Sequence, residues 1–152
     1  RRVLFDESGL STDVVLPELG RPLGDALLAP HRSYLRIVGP LLERGLVKGL
    51  AHITGGGITE NLPRAFPDTC AAEIDVGSWD PPAIFQLLER RGHIGRDEMF
   101  RAFNMGVGLI VVCSADGEEA AMKTIADAGE PRAWRIGSVV HGTHAVRYVS
   151  TK

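Results

Sequence analysis

Thr54-Gly55-Gly56-Gly57 is the stretch of this 152-residue sequence best suited to handling an anion. Three successive residues without a Cβ let the backbone approach a ligand closely. Free N–H groups at the start of a helix then favour negative charge, typically a phosphate. Two familiar phosphate loops are excluded: there is no G-x-x-x-x-G-K-[ST], and three adjacent glycines lack the G-x-G-x-x-G spacing. A purely structural tight turn is the alternative. His52, just upstream, carries an imidazole able to donate to a phosphate or to act as acid or base, or else it is an ordinary loop histidine. Asn61 has the groups to orient an amide or a ribose, and equally those of an N-cap. Arg64 suits a bidentate phosphate contact or plain solvation. Glu60 reads as a base, a metal ligand or a capping residue. Farther on, Asn104 sits beside Gly106 and Gly108 and either binds substrate or adopts a left-handed turn. These two glycines precede a strand, so they form no dinucleotide fingerprint, and a bulge or close packing at a strand entrance explains them too. No nucleophile elbow, Cys–His couple or metal cluster is evident, and no metal site is expected.

The elements that must position these residues follow from periodicity and punctuation. The first nine residues read as the closing turn of a helix with Gly9 just past its end, which suggests an excised fragment or a processed domain. Residues 25–29 look like a short helical turn stopped by Pro30. Leu35, Val38, Leu41, Leu42 and Leu46 have helical spacing, with Pro40 as a kink and Gly45 as a cap. A strand over 48–54 runs into the triple glycine, and a short helix follows, capped either by Gly57 with Glu60 or by Asn61 with Pro63 just inside. Further strands are expected at 71–76 and 109–113, the latter apolar enough to be buried on both faces. Helices are expected from Asp80-Pro81-Pro82 to Gly92, at 97–103 and at 116–128. Two last strands, 134–140 and 145–149, read as a hairpin about Gly142. The order βαβαβαββ implies an α+β domain with a mixed sheet and helices against it.

Composition bounds the function. Lys+Arg 17 against Asp+Glu 19, with no basic run, leaves no footprint for nucleic acid. No apolar stretch approaches the roughly 18–20 residues of a membrane span, and nothing here reads as a signal peptide, so neither is expected. Cys70 and Cys113 stand alone, so a reducing, cytoplasmic setting is the expectation. Eighteen glycines, about 12% against an average near 7%, demand turns or close backbone approach.

The whole stretch His52-Ile53-Thr54-Gly55-Gly56-Gly57-Ile58-Thr59-Glu60-Asn61-Leu62-Pro63-Arg64 closely resembles the signature of the phosphoribosylformylglycinamidine cyclo-ligase (aminoimidazole ribonucleotide synthetase) family. Leu27-Leu28-Ala29-Pro30-His31-Arg32-Ser33-Tyr34 is similar to its L-L-x-P-T-R-x-Y, with His31 in place of Thr. Phe103-Asn104-Met105-Gly106-Val107-Gly108 is similar to F-N-x-G-V-G, with Met105 in place of Cys, and Trp134-Arg135-Ile136-Gly137 to W-x-I-G. The likeness covers only the family's C-terminal domain, so it implies one domain over 1–152 whose N-terminal companion lies outside this chain.

What the resemblance implies is a three-layer α/β/α arrangement with a ferredoxin-like core, and a part in de novo purine ring closure. In that reaction ATP activates an amide oxygen of formylglycinamidine ribonucleotide and an internal nitrogen displaces phosphate. ATP and Mg²⁺ would be bound largely by the N-terminal domain, the full-length protein would be a homodimer, and the isolated fragment is expected to fold without turning over. Such a reaction needs positioning and anion stabilisation more than a covalent nucleophile. Gly55, Gly56 and Gly57 would cradle a phosphate with Thr54 and Arg64 assisting. His52 and Asn61 would orient substrate or transfer a proton, and Asn104, Gly106 and Gly108 would form a second wall of the cleft. The competing readings are relatives of the same plan, of the formylglycinamidine ribonucleotide synthetase, selenophosphate synthetase or thiamine monophosphate kinase type, and a noncatalytic binding or assembly module.

Overall fold

In the computed structural model, residues 1–150 are described. The first of them do close a helical turn. Arg2–Glu7 form a single π-type turn ended by Ser8, and Gly9 takes φ +60°. Leu4 anchors this turn in a cluster with Leu16, Leu23 and Leu87. The first α-helix, α1 (Leu23–Leu27), lies two residues ahead of the expected turn. Pro22 precedes it, and Pro30 bars the helical region to the residue before it. α2 (Leu35–Glu43) accommodates Pro40 in its interior and buries Ile37 and Leu41, and Gly45 follows at φ +67°.

β1 (Gly49–His52) leads through the glycine loop into α3 (Gly57–Asn61), which continues as a 3₁₀ turn over Leu62–Ala65. The N-cap of α3 is Gly56, one residue earlier than the reading that made Gly57 the cap. Its φ of +93° aims its carbonyl at the Glu60 N–H, 3.0 Å away. Asn61 and Pro63 begin the 3₁₀ turn. β2 (Cys70–Asp75), α4 (Ala83–Gly92), α5 (Arg96–Ala102) and β3 (Leu109–Val112) follow. The chain then passes a 3₁₀ turn at Ala115–Gly117 into α6 (Glu118–Asp127), β4 (Gly137–His141) and β5 (Val146–Val149).

The domain is α+β and contains a mixed sheet, but the strands divide into two sheets. β1 pairs antiparallel with β3, while β2 lies between β4 and β5, antiparallel to the first and parallel to the second. The last two strands are therefore no hairpin. Gly142 instead carries the chain around the start of β2. Its N–H donates to the Thr69 carbonyl, and a Cβ there would stand 2.5 Å from that of Ala71. β3 is not buried on both faces either, since only Ile110 is fully covered. Beyond β3 lies a cavity of about 770 Å³, shared with α6 and β4.

One apolar cluster joins the two sheets and fixes the glycine loop against them. Ile53 and Ile58, on either side of the loop, pack with Leu62, Ala72, Ile74, Val107 and Ile110. A second cluster seats α2 on α6 through Ile37, Leu41, Ala121 and Ile125. Among the described residues no helix is long and apolar enough to cross a membrane.

Candidate functional site

Backbone pairing brings the two glycine motifs together. His52 is the last residue of β1 and pairs with Leu109, and the next N–H, of Ile53, donates to the Gly108 carbonyl at 3.0 Å. The 54–57 loop and the 104–108 loop therefore leave the same end of the two-stranded sheet, side by side.

The three loop glycines differ in what requires them. At Gly57, buried and at φ +56°, a Cβ would collide with the Phe100 carbonyl and lie 2.7 Å from that of Phe103. Its lack of a side chain lets α3 sit on α5. At Gly56 the left-handed φ of +93° sets the cap, with a Glu60 carboxylate oxygen 2.7 Å from where a Cβ would be. Gly55 is exposed, and nothing in the chain lies within 4 Å of its Cβ position. Neither the Gly55 nor the Gly56 N–H donates to a backbone carbonyl, whereas that of Gly57 closes the turn on Thr54. The open side of the loop thus presents unpaired donors and no side chain, which suits close approach by an anion.

Asn61 stands behind this loop. The residue is 93% buried, and its amide donates from Nδ2 to the carbonyls of Gly55, at 3.1 Å, and Gly57, at 2.8 Å. Both amide hydrogens therefore hold the loop's shape. Thr54 and Arg64 are exposed, and the Arg64 guanidinium makes no hydrogen bond or ion pair among the described residues.

In the second wall, Asn104 Oδ1 accepts the Gly106 N–H at 3.0 Å, closing a tight turn. The positive-φ residues here are Met105, at φ +51°, and Gly106, at φ +93°, and not Asn104, because the asparagine caps the turn from outside it. Trp79 Nε1 locks the same turn by donating to the Met105 carbonyl at 2.9 Å. Gly106 lies against the Pro82 ring and Gly108 against the Tyr34 hydroxyl, so close packing accounts for both.

Two residues join the site without any assigned role in the sequence reading. His31 Nε2 meets His52 Nε2 at 2.8 Å, and the His31 ring meets Tyr34 edge-on at 5.8 Å between centroids. Position 31 lies in an irregular segment where no periodicity marks it. The only signal was its departure from the threonine of the motif that it otherwise fits.

Beneath α3, Thr59 Oγ1 lies 2.7 Å from the Tyr148 hydroxyl and donates to the Phe100 carbonyl. Burial pushes the Tyr148 phenol above its usual range, partly opposed by the Thr59 hydrogen bond. The Cys113 thiol at the cavity is likewise raised, first by burial and then by the Glu118 carboxylate.

Comparison with known proteins is consistent with these motifs. The family model described as AIR synthase related protein, C-terminal domain, matches residues 1–150. A phosphoribosylformylglycinamidine cyclo-ligase of Bifidobacterium longum is 43% identical over 150 residues, covering 98% of this chain and 43% of that protein. The enzyme of that name from Bacillus velezensis is 43% identical over 142 residues, or 93% of this chain and 41% of the relative. The one from Geobacillus kaustophilus is 41% identical over the same length, with the same coverage. The chain thus spans less than half the length of the curated relatives it matches.

Proposed function

The chain belongs to the AIR synthase related protein family as a C-terminal domain, and from that membership we propose that it serves a phosphoribosylformylglycinamidine cyclo-ligase. The reaction is ATP-dependent ring closure of formylglycinamidine ribonucleotide to aminoimidazole ribonucleotide, in de novo purine biosynthesis. The observation that carries the reading is Gly55. It is the one loop glycine that no contact within the chain requires, and it borders two backbone N–H groups free for a phosphate.

On this reading the chain's contribution is binding and orientation. The Gly55 and Gly56 N–H groups donate to phosphate oxygens, and Asn61 fixes the loop by donating to the Gly55 and Gly57 carbonyls. Thr54 and Arg64, exposed near the loop, add a hydroxyl and a guanidinium to the anion. His52 lies at the end of β1, with His31 on its Nε2, and orients substrate or moves a proton. Asn104, Gly106 and Gly108 shape the second wall. ATP, when bound, supplies the phosphoryl group that turns an amide oxygen into a leaving group. The loop offers N–H and cationic donors, which suit phosphate oxygens and not a hard cation, so Mg²⁺ and most of the ATP site are assigned to the part of the protein outside this chain. The proposal includes a homodimeric, cytoplasmic full-length protein.

The test is Arg64→Ala and His52→Ala in the intact two-domain enzyme. Loss of turnover or of substrate affinity is expected in each. Unchanged values in both would remove these side chains from the site. The 152-residue chain alone is expected to fold without turning over, and ATP-dependent cyclisation by the chain alone would contradict that division of labour.

A further inference from the structure

His31 and His52 meet through the same ring atom, Nε2 to Nε2 at 2.8 Å, with their rings inclined at 69°. Both side chains are exposed. Neither faces a carboxylate among the described residues, unlike His144, whose Nδ1 lies 3.1 Å from Asp68. Between the neutral rings one Nε2–H donates and the other Nε2 accepts, so a single proton joins two nitrogens that are otherwise both metal ligands. Metal–imidazole bonds of about 2.0–2.1 Å, at angles of about 90–110°, set the two nitrogens roughly 2.9–3.4 Å apart. To replace the proton with a cation the pair needs to open by a few tenths of an ångström and each exposed ring to turn by about 35–45°, so that both lone pairs meet at the ion. The His52 backbone is anchored, and the His31 ring is braced. His52 is paired to Leu109 in the sheet, and His31 lies against Tyr34, whose hydroxyl abuts Gly108.

We propose that His31 and His52 form a two-imidazole site for a divalent transition ion, with Cu²⁺ and Ni²⁺ preferred to Zn²⁺. The preference follows from the general affinity order and from the short separation, which fits the right-angled neighbours of tetragonal geometry better than a tetrahedron. No group of three or more His, Cys, Asp or Glu converges among the described residues, so water completes the coordination. Mg²⁺, which prefers oxygen and dehydrates reluctantly, does not compete for two nitrogens. The site shares His52 with the proposed reaction but depends equally on His31, where the resembling motif carries threonine, so ion binding is read separately from turnover.

The intact protein is titrated with NiCl₂ by calorimetry, in excess Mg²⁺, and loaded with CuCl₂ for electron paramagnetic resonance. One ion per chain is expected, with nitrogen splitting in the copper spectrum. His31→Thr and His52→Ala should each weaken binding by about tenfold or more, since loss of a ligand costs at least what loss of its supporting partner does. His144→Ala should leave binding intact. Circular dichroism establishes that each variant is folded, and both imidazoles are exposed enough for substitution. Absence of binding, absence of nitrogen splitting, or a folded His31→Thr with wild-type affinity would reduce the pair to a hydrogen bond and overturn the proposal.

Discussion

Alanine at Gly57 and alanine at Gly55 should behave as opposites, although the two residues are separated only by Gly56. At Gly57 the new methyl group enters a left-handed conformation at φ +56° and meets the carbonyls of Phe100 and Phe103. The conformation costs about 1–2 kcal/mol. Forcing α3 off α5 adds about 1–3 kcal/mol, as overpacking generally does. The sum, about 2–5 kcal/mol, is a large part of the roughly 5–15 kcal/mol that holds a domain together. At this size each kcal/mol lowers Tm by about 2–4 °C, so a fall of about 4–20 °C is expected for Gly57→Ala. At Gly55 no atom lies within 4 Å and φ is not positive, so stability should stay within about 0.5 kcal/mol of the parent. The proposed phosphate would nevertheless meet the Gly55 methyl group, so substrate affinity should fall. Thermal and urea unfolding of both variants, with substrate affinity measured in the intact enzyme, separates the two effects. A Gly57→Ala protein as stable as the parent would refute the packing argument, and a Gly55→Ala protein of unchanged affinity would refute the open-loop argument.

Substitutions at three further positions have expected outcomes. Asn61→Ala removes two donors from the Gly55 and Gly57 carbonyls and should cost about 1–3 kcal/mol in urea unfolding. Asn61→Asp, which sets a carboxylate against those carbonyls, should cost more than Asn61→Ala below the loop's melting point and leave the loop more open to proteolysis. The raised Tyr148 phenol keeps its proton in the folded chain after the unfolded chain has begun to lose it near the usual value of 10.0. The unfolded state then binds fewer protons, so stability is intact below about pH 10 and falls as pH rises above it. Tyr148→Phe should flatten that decline when unfolding is followed from pH 8 to 11. Gly108→Ala, whose methyl group would strike the Tyr34 hydroxyl, should displace Tyr34 and destabilise the domain, with Tyr34→Phe giving partial rescue.

Local patterns made the helices and the β1–glycine–α3 passage legible, because each depends on residues a few positions apart. Gly9, Gly45 and Gly129 follow their helices at positive φ, as glycines past a helix end do. The partners of the last two strands were not legible. Gly142 resembles a hairpin turn in sequence, yet its smallness is required by Ala71, far away in the chain. The partial burial of β3 escaped for a related reason, since a run of apolar residues does not reveal the cavity that they line. Within the site, the triple glycine was recognisable as a unit. That its members divide among helix packing, capping and an open edge depends on where α5 and Glu60 lie. The His31–His52 contact likewise depends on the crossing of an irregular segment with a strand end.

The placing of β5 beside β2 has a consequence for the order of assembly. Ala72 finds its partner Val146 across half the chain, so the loop that must close is long and its closure comes late. During synthesis β1, α3 and β2 emerge early, with β2 lacking both neighbours until β4 and β5 arrive. An unpaired strand of that kind is open to wrong partners. Ile53, Ile58, Leu62 and Ile74 share one apolar cluster and all precede β4 and β5 in the chain, so they can pack together before either neighbour of the central strand exists.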